Sequence, residues 1–138
     1  MKFLDANIFL RYLVADDSVK ADACFTLFQR LNTGQDVATT SEAVIAEVAY
    51  VLRSRAHYDL APAEIEARLR PLLALRGLKL AHKRTYLSSL EIWNAYPKLD
   101  FEDALTVAHM DRLGLQDILH LNLEFADSVF VQVRKELG

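Results

Sequence analysis

Several residue types are scarce in this sequence, and each scarcity excludes a class of protein. The single cysteine, Cys24, excludes an internal disulfide, and the four histidines lack the spacing of a structural zinc site. No uninterrupted apolar stretch approaches the roughly 20 residues that span a bilayer, and Asp5 and Arg11 interrupt the apolar N-terminal segment. The four glycines form no Walker-type phosphate loop. We therefore expect a cytoplasmic protein without a signal peptide or membrane span.

The length and the charge distribution give two further expectations. The 138 residues, 52% of them apolar, predict one domain over residues 1–138, because a chain of this size buries roughly two thirds of its unfolded surface. The net charge of −3 combines +5 over residues 53–84 with −8 elsewhere. This asymmetry favours an acidic site beside a surface that binds a polyanion, and a solvated helix face is the alternative. The candidate cations are Arg53, Arg55, Arg68, Arg70, Arg76, Lys79, Lys83 and Arg84.

Hydrophobic periodicity divides the chain into alternating short strands and helices. Strands are predicted at 2–4, 36–39, 78–81, 117–121 and 129–133, and helices after Asn7 and at 18–31, 41–56, 62–71, 83–96 and 100–113. Pro71 is expected to kink or end the helix that begins near Pro62. Because parallel strands need crossover connections, the alternation predicts an α/β fold with a central, mainly parallel sheet of four to five short strands flanked by helices.

Three acidic residues occupy positions that call for an explanation. Asp5 ends the first predicted strand, and helical projection places Glu47 at the margin of an apolar arc and Asp103 in line with Val107. Inward carboxylates are costly without a compensating cation. Oxygen ligands without His or Cys favour Mg²⁺ or Mn²⁺, and such an ion suits phosphodiester hydrolysis. The pattern therefore indicates a divalent metal site.

A simpler interpretation assigns each acid a separate structural role. Asp5 would cap a helix, Glu47 would pair with Arg11 or Arg76, and Asp103 would favour the positive end of its own helix. Periodicity does not choose between this interpretation and a metal site.

Three segments carry a family resemblance. FLDANIFLRYL at 3–13, AEVAYVL at 46–52 and LDFEDALTVA at 99–108 resemble the PIN-domain family, especially the VapC-type toxin ribonucleases, over nearly the whole chain. The resemblance implies a three-layer PIN-like α/β/α fold and a hydrolase that cleaves RNA endonucleolytically, leaving a 3′-hydroxyl and a 5′-phosphate. It also implies a homodimer and inhibition by a cognate antitoxin protein. On this resemblance Asp5, Glu47 and Asp103 match the central acids that bind Mg²⁺ or Mn²⁺ and activate water.

The resemblance also places accessory residues and reveals one departure. Asn7 matches a polar position beside the first acid, and Asp100 and His120 are further accessory candidates, the latter for phosphate contact or proton transfer. Asn122 stands where PIN domains commonly have a fourth acid. An amide brings no negative charge, so we expect one well-bound metal. It also keeps open an alternative, a catalytically weak or inactive PIN-like module that binds RNA or protein.

The remaining candidates have mainly structural explanations. The Asp-x-Asp beginning of an aspartyl phosphatase is replaced by Asp5-Ala-Asn7, which argues against a phosphotransfer enzyme. Cys24 is expected to be buried and inert. Core or dimer packing is favoured over base stacking for Trp93, Tyr86 and Tyr96. By analogy with VapC toxins, part of one apolar set is expected to accept an antitoxin: Ile8, Phe9, Tyr12, Leu13, Phe25 and Phe28.

Overall fold

The computed structural model describes residues 1–14, 18–119 and 132–134, and the chain forms two compact units, Met1–Lys83 and Arg84–Gly138. The described elements of the first unit are β1 (Lys2–Phe3), α1 (Ala6–Val14), α2 (Ser18–Thr33), β2 (Ala38–Thr39), α3 (Glu42–Arg53) and α4 (Pro62–Leu73). The second unit contains β3 (Asp117–Leu119), β4 (Gln132–Arg134), α6 (Phe101–Leu113) and α5 (Lys83–Ala95), which begins one residue before the unit does.

The strands of the first unit are parallel. Lys2 pairs with Ala38 and Phe3 with Thr39, and on its other side Ala38 forms a parallel bridge with Leu78. Each connection between these strands contains helices, as parallel neighbours require. The strand predicted at 78–81 is therefore reduced to a bridge at Leu78.

The strands of the second unit form another parallel pair. Asp117 pairs with Gln132 and Leu119 with Arg134. The protein is thus mostly helical with a small amount of parallel sheet, which confirms the predicted α/β class. Predicted strand residues 120–121 and 129–131 lie outside the described residues.

Each unit has buried apolar residues of its own. Buried side chains of the first unit come from all four of its helices and the strand region: Leu4, Phe9, Phe28, Leu31, Ile45, Val48, Leu52, Ile65, Leu69, Leu73 and Leu78. In the second unit Val107 and Met110 pack with Ile92 and Ile118. Burying one such aliphatic side chain contributes roughly 1.5–3 kcal/mol before entropy is subtracted.

Helix ends follow local chemistry, with one exception. The Ser41 hydroxyl caps α3 by accepting from the Val44 N–H at 3.2 Å, and Gly114 ends α6 in the left-handed conformation at φ 72°. The prediction that Pro71 kinks or ends α4 is wrong about the end, because the helix continues to Leu73. Pro71 lies in the last turn and is exposed, so the hydrogen bond that it cannot donate to the preceding turn is lost only two residues before the helix ends.

Across residues 1–14, 18–119 and 132–134, no helix combines the length and the apolar character that crossing a membrane requires.

Candidate functional site

Asp5 lies where β1 passes into α1. The residue before it, Leu4, is buried, whereas the Asp5 side chain is exposed. The Asp5 carboxylate accepts a hydrogen bond from the Ile8 N–H at 3.3 Å, as a helix cap does. The predicted capping role is present, and it uses one acceptor position of a carboxylate that offers about four.

A pair of threonines fixes this edge of the sheet. The Leu4 N–H donates to the Thr39 carbonyl at 2.9 Å, and the Thr40 hydroxyl donates to the Leu4 carbonyl at 2.6 Å. The carboxyl ends of β1 and β2 are therefore held side by side. Because α1 follows β1 and α3 follows β2, both helices begin at this edge, and they pack against each other.

Glu47 lies in the second turn of α3. The prediction that it points inward is wrong, because its side chain is exposed. The buried stripe of α3 consists of Ile45, Val48, Ala49 and Leu52. Helical projection places Glu47 at the margin of this arc, and the structure shows that this margin is exposed to solvent. An exposed carboxylate needs no buried partner.

The arginine partners considered for Glu47 are not used. Neither Asp5 nor Glu47 makes a salt bridge to any residue that the structure describes. The Arg76 side chain lies beside Gly34 instead. Asn7, on the first turn of α1, is also exposed. The first unit thus presents two carboxylates to solvent on helices that start from one sheet edge.

Asp103 belongs to the second unit, in the first turn of α6. Asp100 is the N-cap residue, and its carboxylate accepts from the Asp103 N–H at 2.8 Å. The Asp103 side chain is half-buried, and its neighbours along the helix, Phe101, Ala104 and Val107, are buried. A carboxylate in this position also interacts favourably with the positive end of the helix.

Much of the basic segment is engaged in local pairs. On α4, Glu64 pairs with Arg68 and Glu66 with Arg70, both at 3.6 Å and at helical i,i+4 spacing. Lys83 donates to the Leu75 carbonyl at 2.8 Å, and its burial, reinforced by Lys79, lowers its pKa. The solvated-face interpretation therefore holds for α4. Four other candidates are exposed and make no salt bridge with described residues: Arg55, Arg76, Lys79 and Arg84.

Trp93, Tyr86 and Cys24 are all buried. Trp93 is 2% exposed, and its indole N–H donates to the Leu99 carbonyl at 2.8 Å. Tyr86 is also buried, so core packing is confirmed for both. Cys24 is buried as predicted, and this burial raises the pKa of its thiol against an opposing effect of Arg11. A raised pKa disfavours the reactive thiolate.

The sequence pattern of the PIN domain matches residues 2–133. The chain belongs to the PIN domain family. PIN domains are generally nuclease modules, which implies nucleic-acid binding, and they generally use divalent metal ions. A search of curated proteins found no match to this chain.

The donor atoms of this PIN domain suit a hard cation. Asp5 and Glu47 offer carboxylate oxygens, which Mg²⁺ and Mn²⁺ prefer. Within the described residues, however, no three His, Cys, Asp or Glu side chains are grouped closely enough to hold an ion. Asp5 and Glu47 lie in the first unit and Asp103 in the second, so a centre of three acids stays a prediction. The accessory candidates His120 and Asn122 lie outside the described residues.

Sequence reasoning missed one cluster in this PIN domain. The Asp36 carboxylate accepts from Arg30 Nε at 3.0 Å and from Lys2 Nζ at 3.3 Å, at the edge where β1 and β2 begin. The hydrogen bond from Arg30, followed by that from Lys2, holds the Asp36 pKa below its usual value despite partial burial. Lys2 and Asp36 are 34 positions apart, so no local pattern reveals the pair.

Proposed function

We propose that this PIN domain is a Mg²⁺- or Mn²⁺-dependent endoribonuclease in which Asp5, Glu47 and Asp103 bind the ion. The observation that supports the proposal most directly is the state of Asp5 and Glu47. Both carboxylates are exposed, and neither makes a salt bridge with a described residue. The Asp36 carboxylate accepts from two cationic side chains, whereas Glu47 and, apart from the acceptor position used by the Ile8 N–H, Asp5 have oxygens available for a cation.

In the proposed mechanism, the ion and the protein side chains have separate roles. When bound, the ion would supply positive charge to the phosphodiester and would acidify the attacking water. Asp5 and Glu47 would hold the ion at the carboxyl edge of the strands, where α/β folds commonly bind ligands. Asn7 and Asp100 would orient water or substrate by hydrogen bonds, as Asn122 and His120 would. With an amide at position 122, we propose one well-bound ion rather than two.

The biological role that we propose follows from the likeness to VapC-type toxins. We propose that the chain acts in the cytoplasm as the homodimeric toxin of a toxin–antitoxin pair. An aromatic surface on the first unit supports a protein partner: Phe25 is 48% exposed and stacks on the half-buried Tyr12, with ring centroids 6.2 Å apart. Aromatic side chains are enriched in protein interfaces relative to the rest of the surface.

The proposal is tested by cleavage of a labelled RNA with purified wild type, Asp5→Asn and Asp103→Asn, each in magnesium, manganese or EDTA. We expect cleavage by the wild type in the presence of metal, and a loss of roughly 100-fold or more in either variant, as for other losses of electrostatic transition-state stabilisation. Circular dichroism establishes that the variants are folded. Cleavage that continues in EDTA, or that survives both substitutions, would contradict the proposal.

A second candidate function is a PIN-like module that binds RNA or protein without cleaving it. It is favoured by Asn122, which replaces the acid that PIN domains commonly have at this position. The same experiment separates the two functions. A folded wild type that binds RNA but cleaves none in either metal supports the binding module, and an Asn122→Asp variant that gains cleavage identifies the missing charge as the cause.

A further inference from the structure

The exposed face of α3 carries a large aromatic side chain beside the proposed metal ligand. Tyr50 is 68% exposed, the highest value among the aromatic residues that the structure describes, and it follows Glu47 by three positions. Residues at this spacing are surface neighbours on a helix, with Cβ atoms roughly 5–6 Å apart. A Tyr in this position neither contributes to the core nor shields it.

Tyr50 makes none of the aromatic contacts that other rings of the protein make, a property that it shares with the exposed Phe3 and Tyr58. Phe25 stacks on Tyr12, and Trp93 packs against Phe101. The Tyr50 ring and hydroxyl have no ring contact or hydrogen bond to any described residue. The face of the Tyr50 ring is therefore accessible to a ligand, and stacking there would recover some of the burial that an exposed ring lacks.

The charges next to Tyr50 favour an anionic ligand. Arg53 follows Tyr50 by one turn, and Arg55 lies just beyond the end of the helix; both are exposed. Arg53 pairs with Asp59 at 3.5 Å, but both partners are largely in solvent, and exposed pairs of this kind are weak. Arg55 makes no salt bridge within the described residues. Phosphates can therefore compete for both guanidinium groups.

We propose that Tyr50 stacks on a nucleobase of single-stranded RNA next to the phosphate bound at Glu47, while Arg53 and Arg55 contact the phosphates that follow. This inference rests on the proposed nuclease function and adds to it a residue that contacts the substrate. Bases are available for stacking in single strands, because paired bases in a duplex already stack on one another. Stacking on tyrosine is tolerant of sequence, since every base has a π face.

The test combines a change in the protein with a change in the RNA. Unstructured oligoribonucleotides that each lack the base of one nucleotide are cleaved by wild type, Tyr50→Phe and Tyr50→Leu. In the wild type, one missing base beside the cut should lower kcat/KM by roughly 5- to 150-fold, the range expected for one stacked base. The Phe variant should keep this penalty, and the Leu variant should lose it, because leucine offers no ring to stack on.

Two controls keep the result specific. Phe25→Leu removes another exposed aromatic ring of the same unit, and it should keep the wild-type penalty at every position. Arg55→Ala should weaken the salt dependence of binding by about one phosphate contact while preserving the penalty. If Tyr50→Leu retains the full penalty for every missing base while the wild type cleaves, the stacking proposal is overturned and the nuclease function stands. The α3 face would then be open to a protein partner.

If the wild type does not cleave, RNA binding tests the stacking proposal instead. The same oligoribonucleotides are then titrated in magnesium and followed by fluorescence anisotropy. If the wild type binds, and Tyr50→Leu loses both affinity and the penalty for the missing base, the stacking proposal stands and the nuclease function fails. If the wild type binds no RNA, both proposals are overturned.

Discussion

The two edges of the β1–β2 pair hold acidic side chains in opposite circumstances. At the edge where the strands begin, Asp36 accepts from Arg30 and Lys2, and its pKa is held below the usual value. At the edge where they end lies Asp5, and the helix that starts from this edge carries Glu47; both are exposed and make no salt bridge with described residues. A paired acid stabilises the fold, whereas an acid without a protein cation keeps its oxygens for a ligand. The first edge thus stabilises the fold, whereas the second leaves carboxylates accessible to the cation that we propose.

The largest loss of cleavage should come from neutralising one of the two exposed acids. Glu47→Gln should lower metal-dependent RNA cleavage by roughly 100-fold or more, because a neutral amide holds a divalent cation poorly. The free energy of unfolding without metal should change little, since Glu47 is exposed. Cleavage assays and urea titrations measure the two quantities.

A matched control lies on the same helix. Glu42 is also an exposed glutamate of α3, and Glu42→Gln should leave cleavage within about twofold of the wild type. Equal losses in the two glutamine variants would mean that general surface charge, rather than a metal ligand, controls cleavage.

The next effect concerns the packing beneath the first edge. A Cβ at Gly77 would lie 2.4 Å from the Asp36 carbonyl oxygen and 2.6 Å from that of Leu31. These are backbone atoms, which cannot move aside as the end of a flexible side chain can. The steric clash in Gly77→Ala should therefore lower the free energy of unfolding by about 3 kcal/mol. Urea titration measures this change.

Gly114→Ala provides the comparison for that prediction. Gly114 has φ 72° but open space around its Cβ position, so its substitution should cost only the conformational strain, about 1 kcal/mol. If the two alanine variants are equally stable, the close approach at Gly77 is relaxed in solution.

The smallest effect should appear at Asp36 and should depend on pH. Because folding lowers its pKa, Asp36 contributes stability above its unfolded pKa, and the contribution is lost as pH falls through the folded pKa. Asp36→Asn should therefore be less stable than the wild type at neutral pH, and the difference should vanish well below about pH 4. Thermal unfolding across pH tests the sign, and added salt should reduce the difference.

Asp59 supplies the contrast for Asp36. It pairs with Arg53 at 3.5 Å, with both side chains well exposed. Asp59→Asn should be indistinguishable from the wild type at every pH, as expected for a surface pair. A pH-dependent loss at Asp59 as large as that at Asp36 would remove the distinction between a paired edge and an ordinary surface pair.

Helix boundaries could be predicted because their causes are local. Ser41 and Gly114 mark their helix ends by capping and by left-handed backbone, and both signals are legible in the sequence. The length of α4 was missed because Pro71 lies so close to the helix end that it disturbs little. The strand predicted at 78–81 failed because an extended segment becomes a strand only where a neighbour pairs with it, and Leu78 alone does so.

The candidate acids were found from the sequence, but their surroundings were not. The order and type of Asp5, Glu47 and Asp103, together with the match over residues 2–133, identify a PIN domain from sequence alone. Helical projection gives the angle of Glu47 around α3, yet burial depends on how far neighbouring elements extend over that angle. Only the tertiary structure decided that Glu47 and Tyr50 face solvent, and that Asp36 is held by Lys2 and Arg30. Residue type and periodicity are local properties, whereas exposure and ion pairing depend on which distant segments the fold brings together.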